Sequence, residues 1–177
     1  MGEDHQSGFA NIDDLHVEIE LRPLEDLPRD LRAALEYWRS VTPAGRIGPR
    51  WVEFDLMRLP LAYLPTAVVV DHDPTSGVFR YRYWGSHLTP VFGTDLTGKT
   101  FDDAPGSFTQ VSYRSYGVVV DEKRPCLVEF RVKVPGEEAT FQTALRLPLS
   151  EDGETVSGIV SLLLIEYKKH EWEALWR

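Results

Sequence analysis

The feature that most constrains the fold is a set of three strand-patterned segments in the second half of the chain, separated only by turns. CLVEFRVKV sets Cys126, Val128, Phe130, Val132 and Val134 against Leu127, Glu129, Arg131 and Lys133, the two-residue period of a strand. PGEE supplies a turn. FQTALRLPL then repeats the pattern, with Phe141, Thr143, Leu145, Leu147 and Leu149 on one side and Gln142, Ala144, Arg146 and Pro148 on the other. After a second turn at EDGE comes VSGIVSLLLIE, apolar on both faces, as expected of a strand in the middle of a sheet that is covered on both sides.

The first half supplies the rest of such a sheet. AVVVD, residues 67–71, is β-branched and ends at the turn residues HDPTSG, and FRYRYW, residues 79–84, resumes as the second strand of a hairpin. From Gly85 to Val120 the pattern changes to helical turns and loops: SHLTPVFG, DLTGKTFDD and SFTQVSYRSYGVVV. Upstream, PRDLRAALEYWRS opens on Pro28 and gathers Leu31, Ala34, Leu35 and Trp38 on one side, an amphipathic helix over 28–40 that the prolines and glycines of TPAGRIGP end. Residues 51–65 read as a short helical or irregular approach to the sheet. His16 to Leu21 alternates as a short strand, Met1 to Asp14 reads as a polar tail, and KKHEWEALWR as the start of a C-terminal helix. The expected class is α+β: a five-stranded antiparallel sheet with helices on one face and the N-terminal helix covering the other.

Composition narrows the function. The 177 residues suit one domain plus extensions, and 42% apolar and 27% charged residues are globular values. Nineteen Lys and Arg against 28 Asp and Glu give a net charge of −9, and the basic residues form no stripe, which argues against nucleic acid. The single cysteine, Cys126, allows no internal disulfide and suits a reducing compartment. An acidic N-terminus without an apolar run, and no segment long enough for a membrane helix, give the expectation of a cytoplasmic protein without membrane contact.

With that element order, YRYWGSHLTPVFGTDLTGKTFDD, residues 81–103, resembles the PAS domain family, in particular compact single-domain bacterial PAS proteins whose second strand runs into a glycine, a short helix and a turn. The matching features are the strand before Gly85, the helix ending at Gly93, and the turn with Leu96, Gly98 and Lys99. The resemblance spans Leu59 to Lys168. It divides the chain into a flexible tail (1–26), an N-terminal helix and loop (27–50), a PAS-like domain (51–168) and the start of a C-terminal helix (169–177). It implies a sensory or interaction module, commonly a homodimer, that often uses the space between sheet and helices for a ligand, and it does not imply catalysis.

The cofactor is left unknown, with two candidates argued against. Flavin-adduct PAS sensors carry a cysteine shortly after the glycine turn, where this chain has Phe101, and haem-binding ones carry a histidine on the long helix, where SFTQVSYRSYGVVV has none. Cys126 reads as a core residue, His72 and His87 as surface or capping residues, the Asp71, His72, Asp73 run as a turn, and Asp102 and Asp103 as caps, so no metal site and no acid and base pair is expected.

The polar groups of interest are Arg82, Tyr113, Arg114 and Tyr116. Turned inward, Arg82 is a buried cation that a carboxylate ligand would satisfy; turned outward, it is ordinary surface. Tyr113 and Tyr116 share a helix face and, with Phe92, Phe108, Val128, Phe130 and Phe141, either line a cavity or form plain core. Three functions compete: a ligand-responsive PAS module acting on a downstream signalling protein; a ligand-free adaptor that dimerises or binds a partner through Leu31, Leu35 and Trp38; and a small α+β enzyme, which would need an ionisable constellation in its interior.

Overall fold

The computed structural model describes residues 16–104, 108–134 and 137–165. Six strands form one antiparallel sheet: β1 (His16–Arg22), β2 (Ala67–His72), β3 (Phe79–Trp84), β4 (Cys126–Val134), β5 (Glu137–Leu149) and β6 (Gly158–Ile165), in the order β1-β4-β5-β6-β2-β3. The helices are α1 (Arg29–Val41), α2 (Leu88–Phe92) and α3 (Phe108–Glu122), with short 3-10 turns over residues 51–66.

The expected two strands, helical segment and three strands are all present, and the sixth strand is the early one. His16–Arg22 pairs along β4 from His16 opposite Lys133 to Arg22 opposite Leu127. Residues 16–22 therefore belong to the sheet, not to a tail ending at 26. β5 also starts earlier than expected, because Glu137 and Glu138 pair with Val134 and Lys133 instead of forming a turn. The C-terminal helix expected at 169–177 lies outside the described residues.

The two strands apolar on both faces, β2 and β6, lie side by side in the interior of the sheet. Two cores explain their composition. On one face Val68, Val70, Tyr81, Val128, Phe130 and Ile159 pack with Leu88, Leu96, Phe101, Tyr116 and Val119. On the other, Val69, Leu145, Leu147, Val160 and Leu162 pack with Leu31, Ala34, Leu35 and Trp38 of α1 and with Phe54 and Leu59. The helix at 29–41 is thus the cover of the second face, and Trp38 adds a hydrogen bond from its indole N–H to the Pro148 carbonyl (2.8 Å). Pro148 is tolerated within the sheet because β4 ends at Cys126, opposite Arg146, so at Pro148 the neighbouring strand is missing.

The 81–103 segment closes one edge of the sheet. Tyr81 exchanges backbone bonds with 98–99: its N–H donates to the Lys99 carbonyl (2.9 Å) and its carbonyl accepts from Gly98 (2.7 Å), with Gly98 at φ +80°. Gly85 is required by a close approach, for a Cβ there would stand 2.3 Å from the Pro65 carbonyl oxygen and 2.9 Å from that of Ala67. Both obstacles are backbone. Gly85→Ala is expected to cost about 3 kcal/mol, read as a fall in the urea midpoint; an unchanged midpoint would mean that the strand 3 to helix 2 junction is looser than described.

Candidate functional site

β5 carries an arginine into the middle of the helix-covered face. Arg146 stands opposite Cys126 of β4 and Ser161 of β6, two positions along from Ala144, and is 2% exposed. Its guanidinium lies over the Tyr116 ring of α3, 3.5 Å from the centroid, with the Phe130 ring at 5.6 Å. Nε and Nη1 are sealed from solvent and hydrogen-bond nothing. Among the described residues no carboxylate forms an ion pair with it. Burial pushes its pKa below the usual arginine value, yet arginine stays protonated in proteins, so the site holds one uncompensated positive charge.

That charge is costly where it stands. Contact with an aromatic face returns about 2 kcal/mol when desolvated, against several kcal/mol for taking the ion out of water. Among the described residues, the surroundings add hydroxyls but no negative charge. The Ser161 hydroxyl, fully buried, has no partner, and the Tyr81 hydroxyl makes no hydrogen bond of good geometry although Ser112 lies beside it. α3 turns two more small polar side chains inward, Ser112 and Ser115, the latter donating to the Ser112 carbonyl at 3.2 Å. Burial raises the pKa of Tyr81, keeping it a neutral donor.

Cys126 is neutral as well, its thiol pushed up to about 11 by burial. Because the folded value lies above the 9.0 of an unperturbed thiol, the stability it contributes is whole below pH 9 and drains away as pH rises from 9 towards 11. The buried phenol of Tyr81 acts in the same sense at higher pH. At pH 8 Cys126 is expected to react with a thiol reagent only as fast as the protein opens, and at once in urea; rapid labelling of the folded protein would contradict its burial.

The sequence-derived residues separate into distinct groups. Arg82 points outward, pairing with Asp71 (2.8 Å) and lying over Trp51 (4.9 Å), with its side chain 41% exposed. The buried cation is Arg146 instead. Tyr116 and Phe130 do belong to the Arg146 surroundings, and Tyr113 joins them at one remove, edge-on to Phe101 (5.3 Å) as Tyr116 is (5.1 Å). Phe92 and Phe108 lie in α2 and α3 and Phe141 in β5; their side chains are outside what the structure describes. Leu31, Leu35 and Trp38, expected as a partner surface, are buried against the chain's own sheet and offer none. Arg114 is exposed.

Among the remaining polar groups, Asp73 accepts from Thr75 N–H and the Ser76 hydroxyl, and Asp103 caps the Thr100 turn by accepting from its N–H and hydroxyl. His87 is exposed. His72 departs from expectation: as the last residue of β2 it is buried, with Nδ1 2.7 Å from the Val156 carbonyl and its ring stacked on Phe79. No group of three or more His, Cys, Asp or Glu among the described residues is placed to hold a metal ion. No described helix is long and apolar enough to cross a membrane.

No family model matches the chain, and no curated protein matches it. Among solved structures, a sensory box histidine kinase/response regulator from Burkholderia thailandensis is similar at 17% identity and a TM-score of 0.33, over 63% of this chain and 86% of that one.

Proposed function

We propose that the chain is a PAS-type sensory module that takes a small molecule between its sheet and α3, with no catalytic step of its own, and that passes the event to a downstream signalling protein or through a homodimer. The observation that carries this reading is Arg146: a charge held in the core without a counter-ion lowers stability, and a ligand that neutralises it restores what was lost. The element order of strands, helices and strands supports the family, and Tyr116, stacked on the guanidinium, links the site to α3. A catalytic reading has less to work with, since the described neighbours of Arg146 are hydroxyls, aromatic rings and a protonated thiol, with no carboxylate or imidazole to act as a base.

The test is a native and a denaturing mass spectrum of one preparation, with an absorbance scan, repeated after incubation with a mixture of small metabolites. A mass surplus present only in the native spectrum supports a sensor. A bare polypeptide under every condition would count against it.

A further inference from the structure

We infer that the ligand of this site is a compact organic monocarboxylate with an apolar or aromatic body, its carboxylate held by Arg146 and by the hydroxyls of Ser161 and Tyr81. The inference rests on the sensory reading above and names the chemistry it would serve.

Charge selects first. Among the described residues the helix-covered core contains one unneutralised positive charge, so a single negative charge balances it, whereas a phosphate dianion would leave a second charge buried with only neutral donors described around it. Shape selects next. The Tyr116 ring centroid stands 3.5 Å from the guanidinium carbon, and the unused N–H groups lie in the guanidinium's own plane as a fork that favours a planar acceptor, which a carboxylate provides. The unpartnered Ser161 hydroxyl sits directly across the strand pair from Arg146, and the Tyr81 hydroxyl, kept protonated, is a third donor for the remaining lone pairs.

The rings set the body of the ligand. Phe101 stacks with Phe79 at 4.8 Å, meets Tyr81 at 4.8 Å and Tyr116 at 5.1 Å, so whatever lies beyond the carboxylate meets aromatic carbon. α3 is suited to yield to it. Its middle, Ser115, Tyr116, Gly117, Val118, Val119, Val120, is poor in helix formers, and Gly117 has open space where a Cβ would stand, so no close contact demands a glycine there. The helix owes its stability to the core beneath it, which is the part a ligand rearranges.

The experiment is a thermal-shift and calorimetric panel on the full chain: butyrate, benzoate and phenylacetate; the neutral counterparts benzamide and benzyl alcohol; and phosphate and chloride. Wild type, Arg146→Met and Arg146→Lys are compared, the lysine variant keeping the charge but not the planar fork. The expected result is that carboxylates stabilise the wild type, that amide, alcohol and inorganic anions do not, and that affinity falls roughly thirtyfold or more in Arg146→Met, with Arg146→Lys between the two. If benzamide binds wild type and Arg146→Met equally well, the interior takes small molecules and the sensor stands, but the carboxylate assignment is overturned. Phosphate binding in place of carboxylates overturns it too. If nothing in the panel binds and the native spectrum stays bare, both readings fall.

Discussion

Arg146→Met is expected to make the ligand-free protein more stable, by about 2 kcal/mol or roughly 5 °C in Tm. The direction is opposite to that of most core substitutions, and the reason is specific. Arg146 is 2% exposed in the wild type, its Nε and Nη1 have no acceptor, and among the described residues its compensation is the face of Tyr116. Methionine removes the uncompensated charge and fills much of the same volume with an adaptable apolar chain. Adding a carboxylate ligand at about 100 times its wild-type dissociation constant then closes the gap, because the wild type gains roughly 2.7 kcal/mol of binding linkage and a variant that binds about thirtyfold more weakly gains about 0.9 kcal/mol. Circular-dichroism melts with and without ligand measure both. A loss of stability in Arg146→Met without ligand would mean that the charge already has a counter-ion.

Trp38→Ala is expected to cost about 3–5 kcal/mol without changing the mass of the particle in solution. Trp38 is buried between α1 and β5, and its indole N–H holds the Pro148 carbonyl at 2.8 Å. Truncation opens a cavity between helix and sheet and leaves that carbonyl short of its donor. Leu31→Ala, at a fully buried position on the same helix face, is expected to cost about 2–4 kcal/mol for the cavity alone. Urea unfolding and light scattering on the two variants separate the possibilities. A smaller particle with unchanged unfolding would return this face to the role of a partner surface.

Much of the sheet was legible because its signals are local. The apolar runs AVVV and IVSLLLI read as two-sided strands and do occupy the interior positions β2 and β6. The stripe of Leu31, Ala34, Leu35 and Trp38 identified α1, but a stripe reports only that a face is apolar, not whether the chain or a partner covers it. The sixth strand was harder to place: His16–Arg22 has the alternation, yet its pairing with β4, far along the chain, is set by tertiary contacts.

The site was half legible for a similar reason. Tyr116 and Phe130 follow from helix and strand periodicity, whereas Arg82, weighed as either a buried cation or ordinary surface, is surface, and the buried cation is Arg146. Arg82 and Arg146 both alternate with large apolar side chains within a strand. What separates them is position in the sheet: β3 is at its edge, where Asp71 pairs with Arg82 near solvent, while β5 has a strand on each side and a helix on each face. The sequence does hold one clue, that Arg146 is flanked by Leu145 and Leu147 on one face of the strand and shares its own face with Ala144, so that stretch of the strand has no evident solvent-facing side on which to place a cation.

The most direct measurement is the Nε–H resonance of Arg146 in nitrogen-15 NMR, assigned by its loss in Arg146→Met and followed while benzoate is added. A buried, unpartnered guanidinium gives a resonance that exchanges with water more slowly than those of the exposed arginines and that moves to lower field in a saturable way as the carboxylate docks. A resonance that exchanges as fast as that of a surface arginine, or that stays fixed through the titration, would contradict the assignment of Arg146 as the ligand's anchor.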